Sequence, residues 1–395
     1  FEILSNKKIF KKVCSDYNVD VIPEYTEENL IENICVTYPI IIKPAQGSGS
    51  KNQKVCFNSE DALKALMDGK RLSEEENVII EQYMEDKPDF TISYLVVDGE
   101  VYPVRIADRY IGSLDDQMEK VCIAAVSPSK YTEHYFKTAH NSIVKMLKGI
   151  GLKNAPVFFQ GFIDGDTVRL YDPGLRFAGG EYERFYKKAY GLDLISFLVE
   201  FALTGCMKSF NEYVIDPYVS MNGNYAVNLQ TAVRPGKVSK IFGLEAIRKD
   251  EDTIVVFQRY YEGDEVKETY NVNQRFAEID VMSSSIGRLK DKIKLVQERL
   301  RVVNEAGENM VFAEFDAELL DEYNALSDVS SSYNRGKFTE KLSHFAAELE
   351  FDNLPSDVVE LTKMFILDYY SAVFAGYRVN KTFNKAVMCM IDNIG

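Results

Sequence analysis

Apolar residues in the first two thirds of this chain fall in short runs broken by polar turns, with a few stretches at helical spacing between them. That pattern predicts a mixed α+β protein. Ile9, Phe10 and Val13 recur among lysines, so residues 6–17 read as an amphipathic helix ended by Ile22-Pro23. Residues 38–44 form an apolar strand, residues 46–51 a glycine-serine turn and residues 55–57 a second strand, together a hairpin. A helix follows at 61–68 through Ala62, Leu63, Leu66 and Met67, then a strand at 77–82. Strands at 90–97 and 101–106 are joined by Asp98-Gly99, and strands at 157–163 and 167–171 by Asp164-Gly165-Asp166, both strong hairpin signals. Between these pairs lies a helix carrying Ile143, Val144, Leu147 and Ile150, and residues 192–203 make another. Leu289, Ile293, Val296, Leu300 and Val303 alternate in steps of four and three, which predicts one long amphipathic helix. Periodicity is lost over 321–337, read as a linker. Beyond it, residues 338–395 are predominantly helical with breaks at Pro355 and Gly376.

Charge narrows the partners. The chain has 46 Lys and Arg against 61 Asp and Glu, a net charge of -15, which disfavours nucleic acid and anionic membrane surfaces. The partners expected are therefore small molecules, and a second copy of the chain is a further candidate. Six scattered cysteines and three histidines, His134, His140 and His344, suggest neither a disulfide framework nor a zinc site. No apolar run approaches the ~18 residues that span a bilayer and no leader is evident, so the expectation is a soluble cytoplasmic protein. Because the chain opens on Phe1 and stops without a terminal cap, it reads as a piece of a longer one.

Handling a nucleoside triphosphate takes cations and backbone amides on the phosphates, a slot for the base, and carboxylates for magnesium. The sequence offers these in order. Lys43 ends a buried strand, where an ammonium is costly without an anionic partner. Gly47-Ser48-Gly49-Ser50 at the following turn lets main-chain N–H groups approach a phosphate without side-chain interference. Asp172 is an acid on an otherwise apolar strand, shortly before Arg176, whose guanidinium suits a phosphoryl group.

Taken together these stretches resemble the ATP-grasp family, in particular the carbamoyl phosphate synthetase large-chain branch, over about residues 1–320. The resemblance implies that Lys7, after Asn6, and Lys43 reach the phosphates of ATP, and that residues 46–51 form a glycine-rich flap. It implies that Glu81, Gln82, Tyr83 and Met84 form a hinge whose backbone pairs with adenine, and that Asp89 stands at a ribose-binding acid, usually Glu. Gln160 falls at a first magnesium-ligand position. In the stretch Leu170-Tyr171-Asp172-Pro173-Gly174-Leu175-Arg176, Asp172 takes the place of a metal-binding Glu, and Gly174 stands where many members have a ligating Asn. Arg176 and Lys43 are then the catalytic candidates, while Arg109 and Arg234 are carboxylate or phosphate binders or surface ion-pair partners.

The fold implied is an ATP-grasp arrangement of two α+β lobes over residues 1–320, with 35–110 holding the nucleotide-clasping lobe, followed by a short all-α segment cut off at its end. The activity implied is an ATP-dependent ligase, using ATP and Mg2+ to activate a carboxylate as an acyl phosphate for attack by an amine or other nucleophile. Residues 342–376 resemble the opening helices of the 2-methylcitrate dehydratase and cis-aconitate decarboxylase family, without its catalytic residues. Two alternatives stay open: a non-catalytic ATP-binding module, and a partner domain fused to a dehydratase-like enzyme.

Overall fold

Asn6 starts the first helix by accepting hydrogen bonds from the Lys8 and Ile9 amides at 3.0 and 3.3 Å, satisfying donors that the helix itself leaves over. In the computed structural model, residues 2–44, 53–72, 78–84, 86–112, 121–180, 182–212, 216, 219–267, 272–323 and 363 are described. The turn at 46–51 lies outside them, as does all but Lys363 of the C-terminal segment. The helix α1 (Lys7–Asp16) buries Phe10 and Cys14 and leads to β1 (Glu24–Tyr25). A Thr26–Asn29 capping box opens α2 (Glu27–Glu32). Then follow β2 (Ile40–Pro44), β3 (Lys54–Cys56), α3 (Ser59–Leu72) and β4 (Val78–Gln82).

These strands make a small sheet in the order β1-β4-β2-β3. Successive side chains on a strand alternate between faces. Ile40, Ile42, Val78 and Ile80 pack with Leu30, Ala62, Ala65 and Leu66 of α2 and α3, so Ile41, Lys43, Ile79 and Glu81 occupy the opposite face.

The remainder of the described chain builds a second sheet from β5 (Asp89–Val97), β6 (Glu100–Gly112), β7 (Val121–Ser127), β8 (Ala155–Asp164) and β9 (Thr167–Gly174). The helices α4 (Thr132–Thr138) and α5 (His140–Gly149) separate β7 from β8. After β9 come α6 (Glu183–Tyr190) and α7 (Leu194–Thr204), each ended by a left-handed glycine, Gly191 and Gly205. The chain continues through β10 (Tyr225–Val233), β11 (Gly236–Lys237), β12 (Lys240–Phe242), α8 (Leu244–Arg248), β13 (Thr253–Gln258), β14 (Glu265–Val266) and β15 (Arg275–Ser283). It closes with α9 (Ile286–Arg299), β16 (Arg301–Val303) and β17 (Val311–Ala313). Among the described residues the large sheet has nine strands, in the order β13-β15-β10-β7-β6-β5-β8-β9 with β17 beside β10. One of its faces packs Phe90, Ile92 and Phe159 against Phe10 of α1 and Ile143 and Leu147 of α5. Removing each such ring from water contributes about 2 kcal/mol. Among the described residues no helix is long and apolar enough to cross a membrane.

One sequence expectation changes. The long helix stops at Arg299 because Leu300 leaves the helical region, and the β-branched pair Val302-Val303 is taken into a strand against β12. Of the residues 35–110 expected to hold the nucleotide-clasping lobe, those up to Gln82 belong to the small sheet, which spans residues 24–82, whereas β5 and β6 pair with β8 and β7 in the large one. Past Leu320, where the 321–337 linker is expected to begin, ordered packing continues to Tyr323. The chain divides after Ser330, and Tyr323, in the 3-10 helix Ala317–Tyr323, is fully buried.

Tyr323 is fixed by Asp108, a carboxylate buried on β6. Asp108 accepts from the Tyr323 hydroxyl, from the Ser129 hydroxyl at 2.5 Å and from the Lys130 amide at 2.9 Å. An acid in that position is tolerable only with its acceptors occupied. Asp108→Ala strands three donors in the interior and is expected to cost about 3 kcal/mol, read as a lower urea midpoint; an unchanged midpoint rejects this account.

Candidate functional site

The register of the large sheet lines up the residues singled out from the sequence. Asp172 on β9 stands directly opposite Gln160 on β8, and Gln160 opposite Thr91 on β5. Directly opposed residues of an antiparallel pair have Cβ atoms about 5 Å apart, so the Asp172 carboxylate and the Gln160 amide share one face. Asp89, two residues from Thr91, lies on the same face and pairs with Arg109 of β6. A bulge at Gln160/Gly161 inserts Tyr171 as an extra residue on β9. Its ring stacks on Phe162 at 4.9 Å, and its hydroxyl accepts from Arg109 Nη1 at 2.7 Å.

Arg109 Nη1 also donates to both Asp89 oxygens, at 2.9 and 2.8 Å. Burial pushes the Asp89 carboxyl up to about 6 against the pull of that guanidinium. Asp89, expected on a ribose, is thus engaged by Arg109 and Tyr171.

Above β9, the Lys43 ammonium lies 5.9 Å from the Tyr171 ring centre and pairs with Glu81. Glu81 pairs in turn with Lys11 at 2.5 Å, and Lys7, one helical turn before Lys11 on α1, reaches Asp172 at 3.4 Å. The contacts close a ring: α1 to Asp172, along β9 to Tyr171, across to Lys43, through Glu81 and back to α1. Lys7, Lys43, Glu81, Gln160 and Asp172 are therefore brought together.

The remaining candidates are placed as follows. The hinge stretch Glu81, Gln82, Tyr83 and Met84 lies at the end of β4 and just beyond it; the Gln82 and Tyr83 amides donate to the Pro23 and Pro39 carbonyls at 3.0 and 2.9 Å. Arg176 is exposed, its guanidinium 4.8 Å from the Phe158 ring centre, and among the described residues the ion-pair partner of Asp172 is Lys7. Arg234 donates to the Val311 carbonyl at 3.2 Å. Gly47, Ser48, Gly49 and Ser50 lie outside the described residues.

Gly174 has a steric cause. A Cβ there would sit 2.1 Å from Cε1 of Phe158, so the ring occupies the volume that any larger residue needs. Sequence reasoning missed Lys11, the Glu81 side chain and Tyr171. Lys11 has no local signal, since Lys8 and Lys12 show the same four-residue spacing as Lys7 and Lys11, and the other two depend on a strand face and a bulge.

Comparison with known proteins shows what the chain is similar to. A family model described as the ATP-binding domain of the carbamoyl-phosphate synthase L chain matches residues 6–159. The carbamoyl phosphate synthase large chain of Methanobrevibacter smithii is 18% identical over 214 residues, which cover 53% of this chain and 20% of that protein. The match thus spans about a fifth of its curated relative. Among solved structures, the L-amino acid ligase from Bacillus licheniformis superposes with a TM-score of 0.61 at 18% identity, covering 77% of this chain and 73% of the ligase. The Campylobacter jejuni biotin carboxylase complex with β,γ-ATP gives 0.58 at 17% identity, covering 76% and 68%. At such identities the likeness to solved structures establishes the fold. The chain carries an ATP-grasp fold, and its residues 6–159 are similar to the ATP-binding domain of the carbamoyl-phosphate synthase L chain.

Proposed function

We propose that the chain is an ATP-dependent ligase that activates a substrate carboxylate as an acyl phosphate, to be captured by an amine or another nucleophile. The observation that carries this reading is the ring of Lys7, Asp172, Lys43 and Glu81, with Gln160 opposite Asp172. The donor set suits magnesium, a hard cation that takes one or two carboxylates and completes its shell with phosphate oxygens and water.

In this reading Asp172 and Gln160 hold Mg2+, Lys7 and Lys43 meet the phosphates, and Arg176 meets the charge that develops on the transferred group. The base is read by residues 81–84. With the Gln82 and Tyr83 amides already donated, it meets carbonyl oxygens and the Met84 N–H. Asp89, held by Arg109 and Tyr171, faces the ribose. When bound, MgATP supplies the phosphoryl group; the protein supplies position and charge neutralisation.

Lys7, Lys11 and Lys43 face Asp172, Glu81 and Glu24, three charges of each sign. The ring therefore offers a triphosphate little surplus positive charge, so the metal is needed for binding as well as for chemistry. A second reading, an ATP-binding module without catalysis, is favoured by Gly174, since the Phe158 ring leaves no room there for another metal ligand. Screening amino and carboxylic acids for stimulated ADP release separates the two, because a module leaves ATP intact.

Two substitutions test the assignments. Lys43→Ala is expected to weaken MgATP binding at least tenfold, about 1.4 kcal/mol, by calorimetry; equal binding removes Lys43 from the site. Asp172→Asn keeps size and polarity but removes the charge. Its ion pair with Lys7 is partly exposed, the acid at 31%, and worth under about 1 kcal/mol, so melting should hardly move. The magnesium concentration for half-maximal nucleotide binding is expected to rise at least tenfold, and an unchanged requirement in the folded variant refutes the assignment.

A further inference from the structure

The hinge reading uses only the backbone of Glu81, and its side chain is in a costly place for a carboxylate. Glu81 is 0% exposed, on the face of the small sheet turned away from α2 and α3. One oxygen meets Lys11 at 2.5 Å and the other meets Lys43. Both lysines are themselves largely buried, at 8% and 11% side-chain exposure. Burial alone would raise the Glu81 carboxyl, but Lys43 and Lys11 together hold it below its ordinary value, so it stays ionised.

A staple joining three elements could be made from apolar side chains at less cost, because buried ion pairs give back little of what desolvation takes. An ionic cluster here is better explained by the donors it leaves over. An ammonium has three N–H donors. Among the described residues, Lys43 gives one to Glu81, and Lys11 gives one to Glu81 and one to Glu24, at 2.8 Å. Both groups are thus fixed in place with hydrogen-bonding capacity unspent, beside the Tyr171 ring and within the ring of contacts that also contains Lys7 and Asp172.

We propose that Lys11 is a further cation of the phosphate-binding site, and that Glu81 is its positioning residue, holding Lys11 and Lys43 as an aligned pair for an incoming phosphate chain. This rests on the reading of the chain as an ATP-binding protein. Glu81 itself never touches the nucleotide through its carboxylate: it sets where two ammonium groups stand and keeps them from scattering across rotamers, which lowers the ordering cost of binding.

The test compares a ligand with phosphates to one without. Wild type, Glu81→Gln and Lys11→Met are titrated calorimetrically with MgATP and with adenosine, alongside thermal melts. The wild type is expected to bind both ligands, and each variant to lose at least tenfold in MgATP affinity while holding adenosine within twofold. A purely structural role would lower both affinities together, and that result, or unchanged MgATP binding, overturns the inference while leaving the ligase reading intact. Wild type that binds no MgATP overturns both. If Glu81→Gln does not fold, the double variant Glu81→Gln/Lys11→Gln, which removes one charge of each sign, decides by the same ratio of affinities.

Discussion

One fully buried carboxylate, shared by two lysines, governs how the small sheet meets the first helix. Glu81 comes from β4, Lys43 from the neighbouring β2, and Lys11 from α1, which packs on the large sheet through Phe10 against Phe159, ring centres 5.7 Å apart. An ionised acid without solvent has to keep its partners. The need to neutralise Glu81 therefore constrains the register of helix against sheet, since an ion pair at hydrogen-bond distance tolerates little sliding.

The division of labour between sheet faces follows from the same economy of charge. In both sheets the face next to the site carries polar side chains opposite an apolar, helix-covered face, although farther along the large sheet that same face turns apolar where Leu95 and Val97 pack with α6 and α7. In the large sheet, Phe90 and Ile92 point toward α1 and α5, while Asp89, Thr91, Gln160 and Asp172 lie on the opposite side. In the small sheet Ile40 and Ile42 contrast with Lys43 and Glu81. The two polar faces come together where Lys43 stands over Tyr171. Alternation along each strand is enough to assemble a polar site between two hydrophobic cores, without any element designed for that purpose alone.

Much of this was legible in the sequence. The hairpin turns at Asp98-Gly99 and Asp164-Gly165 declared themselves, as did the strand with Lys43 and the acid of Asp172, because each contrasts locally with its surroundings. What stayed hidden depends on distant partners. Lys11 looks like any solvent-facing lysine on an amphipathic helix until Glu81 is placed beside it, 70 residues on. Val302 and Val303 extend a helical repeat in sequence and are claimed by β12 only in three dimensions. Tyr323 reads in sequence as part of a fading segment, yet its hydroxyl meets an acid more than 200 residues earlier. Single-sequence periodicity carries local information, and these features are long-range by construction.

The fit of Gly174 against Phe158 also constrains which sequences this protein can reach. A side chain at 174 would have its Cβ 2.1 Å from the Phe158 ring, and shortening Phe158 alone would open a void beside the guanidinium of Arg176. Either replacement by itself is disfavoured, and only the two together restore a filled and unstrained site. The pair is therefore an epistatic lock: a lineage that has acquired both residues returns to a bulkier position 174 by passing through a less stable intermediate, which makes the glycine persist independently of any selection on metal binding.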